Sequence, residues 1–129
     1  MRLGDVARLV EAIPLSHGAD MGLEISCACA ADLMSDVLAF AGPGALLLTG
    51  LTNPQVIRAS DVAGVVAVLF VRGKNPLPET GRLAAETGIV LLQTPHTMFE
   101  SCGRLYAAGL PEGVATGGMS MDNGREDIA

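Results

Sequence analysis

Three short segments of the chain collect residue types suited to holding an anion. Thr49-Gly50-Leu51-Thr52-Asn53 combines a glycine with two hydroxyls and free backbone N–H groups at an expected helix start. Arg72-Gly73-Lys74-Asn75 contributes two of the eight cations of the chain, and Thr94-Pro95-His96-Thr97 adds a hydroxyl pair and an imidazole at a third helix start. The ligand-binding set expected from these loops is Thr49, Gly50, Thr52, Asn53, Arg72, Gly73, Lys74, Asn75, Thr94, His96 and Thr97. The plainer reading stands beside it: Thr, Asn and Pro cap helices, and Arg72 and Lys74 are solvated loop charges. No G-x-x-x-x-G-K-[ST] or G-x-G-x-x-G occurs, so neither a P-loop nor a dinucleotide fingerprint is present.

Two other groupings could carry chemistry. Cys27 and Cys29 lie two apart on an expected strand, so their thiols share a face, and Cys102 falls in the last helix. Structural zinc or a cubane needs four ligands, whereas the chain offers three Cys plus His17 and His96 without a C-x-x-C pair. The thiols are therefore read as small core residues, and no metal or cofactor is expected. An iron–sulfur cluster shared between chains, or a redox thiol, is the alternative. Nucleophilic catalysis lacks a G-x-S-x-G elbow, Ser35 sits inside a helix, and no catalytic residue is assigned. An enzyme using His96 as acid or base remains a competing reading. Asp32 and Asp36 stand one helical turn apart and could hold a divalent cation, but Asp32 has the simpler task of capping a helix, and that reading is preferred.

Four strand–helix pairs must position these loops. Val6, Leu9, Val10 and Ile13 form an i, i+3, i+4, i+7 stripe that predicts a first helix, stopped by Pro14. Leu23–Ala30 reads as a strand, centred on residues 23–29, and precedes a helix capped by Asp32 with Leu33, Met34, Val37 and Leu38 inward. Ala45–Thr49 is the second strand, followed by a helix with Asn53 as cap, Pro54 first, and Val56, Ile57 and Val62 inward. Gly64 closes it. Val65–Val71 is the third strand, with a helix from Pro78 to Thr87 ended by Gly88. The fourth is Ile89–Leu92, with a helix from His96 to Ala108 ended by Gly109, in which Met98 and Phe99 serve core or interface packing. Strands apolar on both faces, each followed by one helix, require a parallel sheet covered by helices: the expected class is a single α/β domain over residues 1–109. Ligands of such sheets bind beyond the carboxyl ends of the strands, and all three loops lie there. Residues 110–129 hold four acids and one base among Gly, Ser, Met and Asn, and read as a flexible acidic tail.

Composition sets outer bounds. At 129 residues, one compact domain fits and two do not. Half the residues are hydrophobic and mean hydropathy is +0.43, with aromatics at 3%, so aliphatic side chains build the core. Fourteen acids against eight bases give a net charge of −6, the wrong sign for nucleic-acid binding. The longest apolar runs, Ala45–Leu48 and Val65–Val71, are of strand length and predict no membrane span. An odd number of Cys in a chain able to bury a core fits a reducing cytoplasm.

Segments 31–40 (ADLMSDVLAF), 45–76 and 88–109 resemble a stand-alone DRTGG-domain protein. The most specific pieces are D-L-M-S-D-V (32–37), R-G-K-N-P (72–76) and T-P-x-T-M-F-E-x-C-G-R-L-Y (94–106). Such domains are similar to the amino-terminal domain of HPr kinase and to domains within CBS-domain pyrophosphatases and beside phosphotransacetylases. The resemblance implies a non-catalytic regulatory or ligand-sensing module, dimeric as a homodimer, that takes a small anionic or nucleotide-like ligand or docks on a metabolic enzyme. Similar small proteins are encoded near hydrogenases, which implies an alternative role as an accessory or maturation protein of iron–sulfur redox machinery. No contiguous D-R-T-G-G occurs, and Thr49–Asn53 is the nearest glycine turn.

Overall fold

The computed structural model describes residues 1–113. Five helices flank a five-stranded sheet ordered β1-β5-β4-β3-β2. The helices are α1 (Leu3–Val10), α2 (Met34–Phe40), α3 (Gln55–Ala63), α4 (Pro78–Thr87) and α5 (Met98–Ala107); the strands are β1 (Ile13–Pro14), β2 (Cys27–Ala30), β3 (Ala45–Thr49), β4 (Val65–Phe70) and β5 (Val90–Gln93). Strands β2 to β5 are parallel and neighbour one another in chain order, while β1 is antiparallel to β5. This is the expected α/β class with a mainly parallel sheet. No helix among the described residues is long and apolar enough to cross a membrane.

The alternation of β3 sorts the core. Ala45 and Leu47 point into one layer with Val37, Val56, Ile57 and Ala84 of α2, α3 and α4. Leu46 and Leu48 point into the other with Leu3, Val6, Val10 and Leu105 of α1 and α5. Because β3 is covered on both faces, all five of its residues are buried, which is why it reads as an uninterrupted apolar run. Gly64 and Gly88 end α3 and α4 in the left-handed conformation, as expected, and at Gly64 a Cβ would come within 3.0 Å of the Pro43 backbone.

Several expectations need correction. The strand expected over residues 23–29 begins only at Cys27, where β3 first offers a partner; Leu23 and Ile25 are instead tied to the amino terminus, with Leu3 N–H donating to the Leu23 carbonyl and Ile25 N–H to that of Met1. Pro14 does not stop α1. That helix ends at Val10 with Glu11 as its C-cap in the left-handed region (φ 54°), and Ile13–Pro14 form the edge strand β1, leaving Ile13 exposed. Leu33 and Leu38 are exposed too, because α2 lies over the sheet margin and only Val37 of its residues is buried. Val62 faces solvent at 79% exposure, since Val56, Ile57, Ala59 and Ser60 already fill the inner face of α3. Phe99, expected to serve core or interface packing, is 89% exposed and takes no part in the core.

Boundaries shift slightly elsewhere. Pro54 is the N-cap of α3 rather than its first helical residue, and α5 starts at Met98 behind Thr97. Beyond Gly109, where the domain is expected to end, Leu110 is buried and Glu112 forms a parallel bridge with Ala28. The rest of the expected tail, residues 114–129, lies outside the described residues.

Candidate functional site

The carboxyl ends of β2, β3, β4 and β5 bring the three expected loops to one edge. The β4–α4 loop makes the sharpest turn. Lys74 N–H donates to the Val71 carbonyl at 3.1 Å around Arg72 and Gly73, whose φ angles are 56° and 65°. Two successive left-handed residues inside a four-residue turn define the type I′ geometry. Gly73 meets this demand without cost; Arg72 does not, and a non-glycine residue held there stores strain. Arg72 N–H donates to the His96 carbonyl and Gly73 N–H to the Thr94 carbonyl, each at 2.8 Å, so this loop is fastened to the β5–α5 loop. Gln93 completes the clasp, its amide donating to the carbonyls of Gly73 and Lys74 and to Asn75 Oδ1 at 2.6 Å.

This turn lays the Arg72 side chain on Gly50. A Cβ built on Gly50 would sit 2.5 Å from Arg72 Nη2 and 3.4 Å from Cζ, so the missing side chain is what lets the guanidinium approach the backbone. Asp32 supports the same turn from β2. Its Oδ1 accepts from Thr49 Oγ1 at 2.9 Å and from Gly50 N–H at 2.8 Å. Asp32 is thus a brace between two strand ends and not the cap of α2, whose N-cap is Leu33 with no side-chain bond. Among the described residues, neither Arg72 nor Lys74 forms an ion pair, and both are exposed.

The remaining expected residues surround this pair with their polar atoms largely engaged. Asn53 Oδ1 accepts from Gln55 N–H in the turn that leads into α3, and Thr97, the N-cap of α5, accepts at Oγ1 from Glu100 N–H. Thr94 is buried and donates to the Val10 carbonyl at 2.6 Å, joining α1 to the loop. The Thr52 carbonyl accepts from Leu77 N–H and Thr80 Oγ1, fixing the start of α4. His96 Nε2 lies 2.8 Å from Glu11 Oε1, and Arg104 reaches the same carboxylate at 3.3 Å. The bond from His96, then its charge and that of Arg104, hold the Glu11 carboxyl below the ordinary glutamate range. The first N–H groups of α3 are therefore taken by Asn53, and α5 is capped by Thr97. What the edge presents outward is the side-chain charge of Arg72 and Lys74.

Asp32, Gln93, Glu11 and Arg104 complete this arrangement although no site role was expected of them. Gln93 carried a signal, as a polar residue directly after the apolar run Ile89–Leu92. Glu11 and Arg104 carried none, being 93 residues apart.

The thiols lie elsewhere. Cys27 and Cys29 face the layer of α2, and Cys102 that of α1 and α5. Burial raises all three above the ordinary thiol range, with Asp36 adding to the effect at Cys29. Among the described residues, no three His, Cys, Asp or Glu side chains gather as a metal site. Cys29 and Cys102 do line a cavity of about 670 Å³ along the outer edge of β2, walled by Phe40, Phe99 and Tyr106.

No protein-family model matches the chain, and no curated protein matches its sequence. A solved structure does match its fold: the CBS and DRTGG domains of the regulatory region of Clostridium perfringens pyrophosphatase, in complex with its activator diadenosine tetraphosphate. The superposition has a TM-score of 0.67 at 15% identity and covers 98% of this chain but 58% of the other. The order of elements, the parallel sheet and this match together show that the chain has a DRTGG-like α/β fold.

Proposed function

We propose that the protein is a regulatory, ligand-sensing module that takes the phosphate groups of a nucleotide-like anion at the strand-end edge. The observation that carries this reading is the Val71–Lys74 turn, which holds Arg72 in a strained backbone conformation with its guanidinium on Gly50. Strain of this kind persists where the surrounding structure over-determines it, and it clusters at ligand clamps. Arg72 supplies planar, forked donors for a phosphate; Lys74 adds a point charge; Gly50 lets the guanidinium lie against the backbone at the strand end. In a chain of net charge −6 these two cations meet at one edge, against the single carboxylate of Asp32 that braces the same turn. The structural neighbour, crystallised with a nucleotide activator, supports the same class of guest for this fold.

The test is calorimetric titration of the full chain with ATP and with diadenosine tetraphosphate. Binding should weaken about 10- to 150-fold in Arg72→Ala and in Lys74→Ala, the loss of one charge-assisted hydrogen bond of about 1.5–3 kcal/mol, and stay unchanged in Arg8→Ala. Gly50→Ala should weaken it as well, because the new methyl displaces the guanidinium tip while the fold is kept. Equal affinity in the wild type and both loop variants would remove the edge as the site.

A further inference from the structure

The groove along β2 is built by residues far apart in sequence. Ala28 and Ala30 form its floor, Phe40 of α2 one wall, and Phe99 and Tyr106 of α5 the other. Its closed end is the segment Leu110–Gly113, which already behaves as a sixth strand for one residue pair. Ala28 N–H donates to the Pro111 carbonyl at 2.9 Å, and Gly113 N–H donates to the Ala28 carbonyl at 2.8 Å, around the parallel bridge Ala28↔Glu112.

A parallel ladder repeats every two residues. Along β2 the next residue whose N–H and C=O face away from β3 is Ala30. Among the described residues the pairing stops at that bridge, with no bond from the Ala30 N–H to the Gly113 carbonyl; continued by two residues, the same register would bring the Ala30 N–H to that carbonyl and its C=O to the amide of residue 115. Because the bridge is parallel, Pro111–Gly113 run in the direction from Ala28 toward Ala30, which is along the groove.

We propose that the occupant of this groove is the continuation of the chain itself, with Val114-Ala115-Thr116 adding a parallel strand to the outer edge of β2. Three extended residues span roughly 10 Å, enough to pass Ala30. Residues 114–121 (VATGGMSM) carry no charge, and the acids Asp122, Glu126 and Asp127 come only after them. An uncharged segment suits a groove whose walls are aromatic and whose rim holds Asp36 and Glu112, where an acidic one would be repelled. Tethering keeps the segment at an effective concentration in the millimolar range. The added strand would also shield an edge that is otherwise a template for pairing with other chains.

The experiment is amide hydrogen exchange of the full chain by NMR, in the wild type and two proline variants. In this register the Ala115 N–H points at β2 and the Val114 N–H points away. The amides of Ala115 and Ala30 should exchange at least tenfold slower than unprotected amides of the same sequence. Ala115→Pro should return Ala30 to within about twofold of the unprotected rate, whereas Val114→Pro should leave its protection intact. Unprotected exchange of Ala115 in the wild type would overturn the proposal, and that measurement decides even where a variant fails to fold. Equal protection of Ala30 in both variants would overturn it as well. Protection that falls on tenfold dilution would identify a second copy of the chain as the occupant and overturn it.

Discussion

Replacing Arg72 by glycine should make the unliganded protein more stable while abolishing what the residue is held in place to do. Arg72 sits at φ 56°, inside a turn whose other central residue is already Gly73. A non-glycine L-residue in this region costs about 1–2 kcal/mol, through the approach of Cβ to its own carbonyl. Glycine removes that cost but adds unfolded-state entropy of about 0.5–1 kcal/mol. The Arg72 side chain is exposed and makes no ion pair among the described residues, so little packing is lost. Its backbone N–H, which donates to the His96 carbonyl, survives the substitution. The net expectation is a gain of about 0.5–1 kcal/mol. Urea unfolding at pH 7 reads it as a higher midpoint at unchanged slope. Arg72→Ala, which keeps the Cβ, should show no such gain. A destabilised Arg72→Gly variant would refute the claim that the turn is strained for the sake of its side chain.

Asp32→Ala should destabilise by about 1–2 kcal/mol, because the buried Thr49 hydroxyl loses its acceptor while the Gly50 amide, whose bond is exposed, can turn to water; an unchanged midpoint would return Asp32 to the role of a solvated loop charge. Ser60 and Ser101 bury hydroxyls that have no hydrogen-bond partner among the described residues, so Ser60→Ala should be neutral or stabilising by up to about 1 kcal/mol in the same assay, and a clear loss would reveal a partner for that hydroxyl. The Glu11 carboxyl is held below its ordinary range by His96 and Arg104, so the unfolded chain takes up its proton first as pH falls. Its contribution to stability is present above the ordinary glutamate range and is lost as pH falls through that range and below it. Glu11→Gln should therefore flatten the stability profile in that window, and an identical acid limb in both proteins would contradict the pairing.

Those parts of the fold governed by local chemistry were legible in the sequence. Ala45–Thr49 is a strand over its whole expected length because it is buried on both faces and every residue is apolar or a small hydroxyl. The ends of α3 and α4 follow from Gly64 and Gly88, which alone accept the left-handed cap without strain. Periodicity could not show how wide a buried stripe each helix has. Leu33, Leu38 and Val62 match an apolar pattern, but α2 lies over the sheet margin and the inner face of α3 is already full. Strand β1 was illegible for another reason: two residues, one a proline, carry no alternation and are paired only because β5 presents an open edge.

At the site, the loops came to one edge because a parallel sheet requires it, but the partners within them were decided by tertiary contacts. An aspartate just before a helix reads equally as a cap or as a brace to the next strand, and only the position of Thr49 and Gly50 selects the second. The strained turn at Arg72 had no sequence signal, since an arginine before a glycine occurs in ordinary turns too. The β2 groove joins residues 28–31 to 99–113, a juxtaposition without a local trace.

The most direct test of the central claim is the map of backbone amide shifts as diadenosine tetraphosphate is titrated into the full chain. The account predicts the largest changes at Gly50, Arg72, Gly73 and Lys74, with smaller ones at Gln93 and His96, which fasten the same loop. Largest changes at Ala28–Ala31 and Cys102 instead would place the ligand in the groove along β2 and contradict a binding edge built on Arg72.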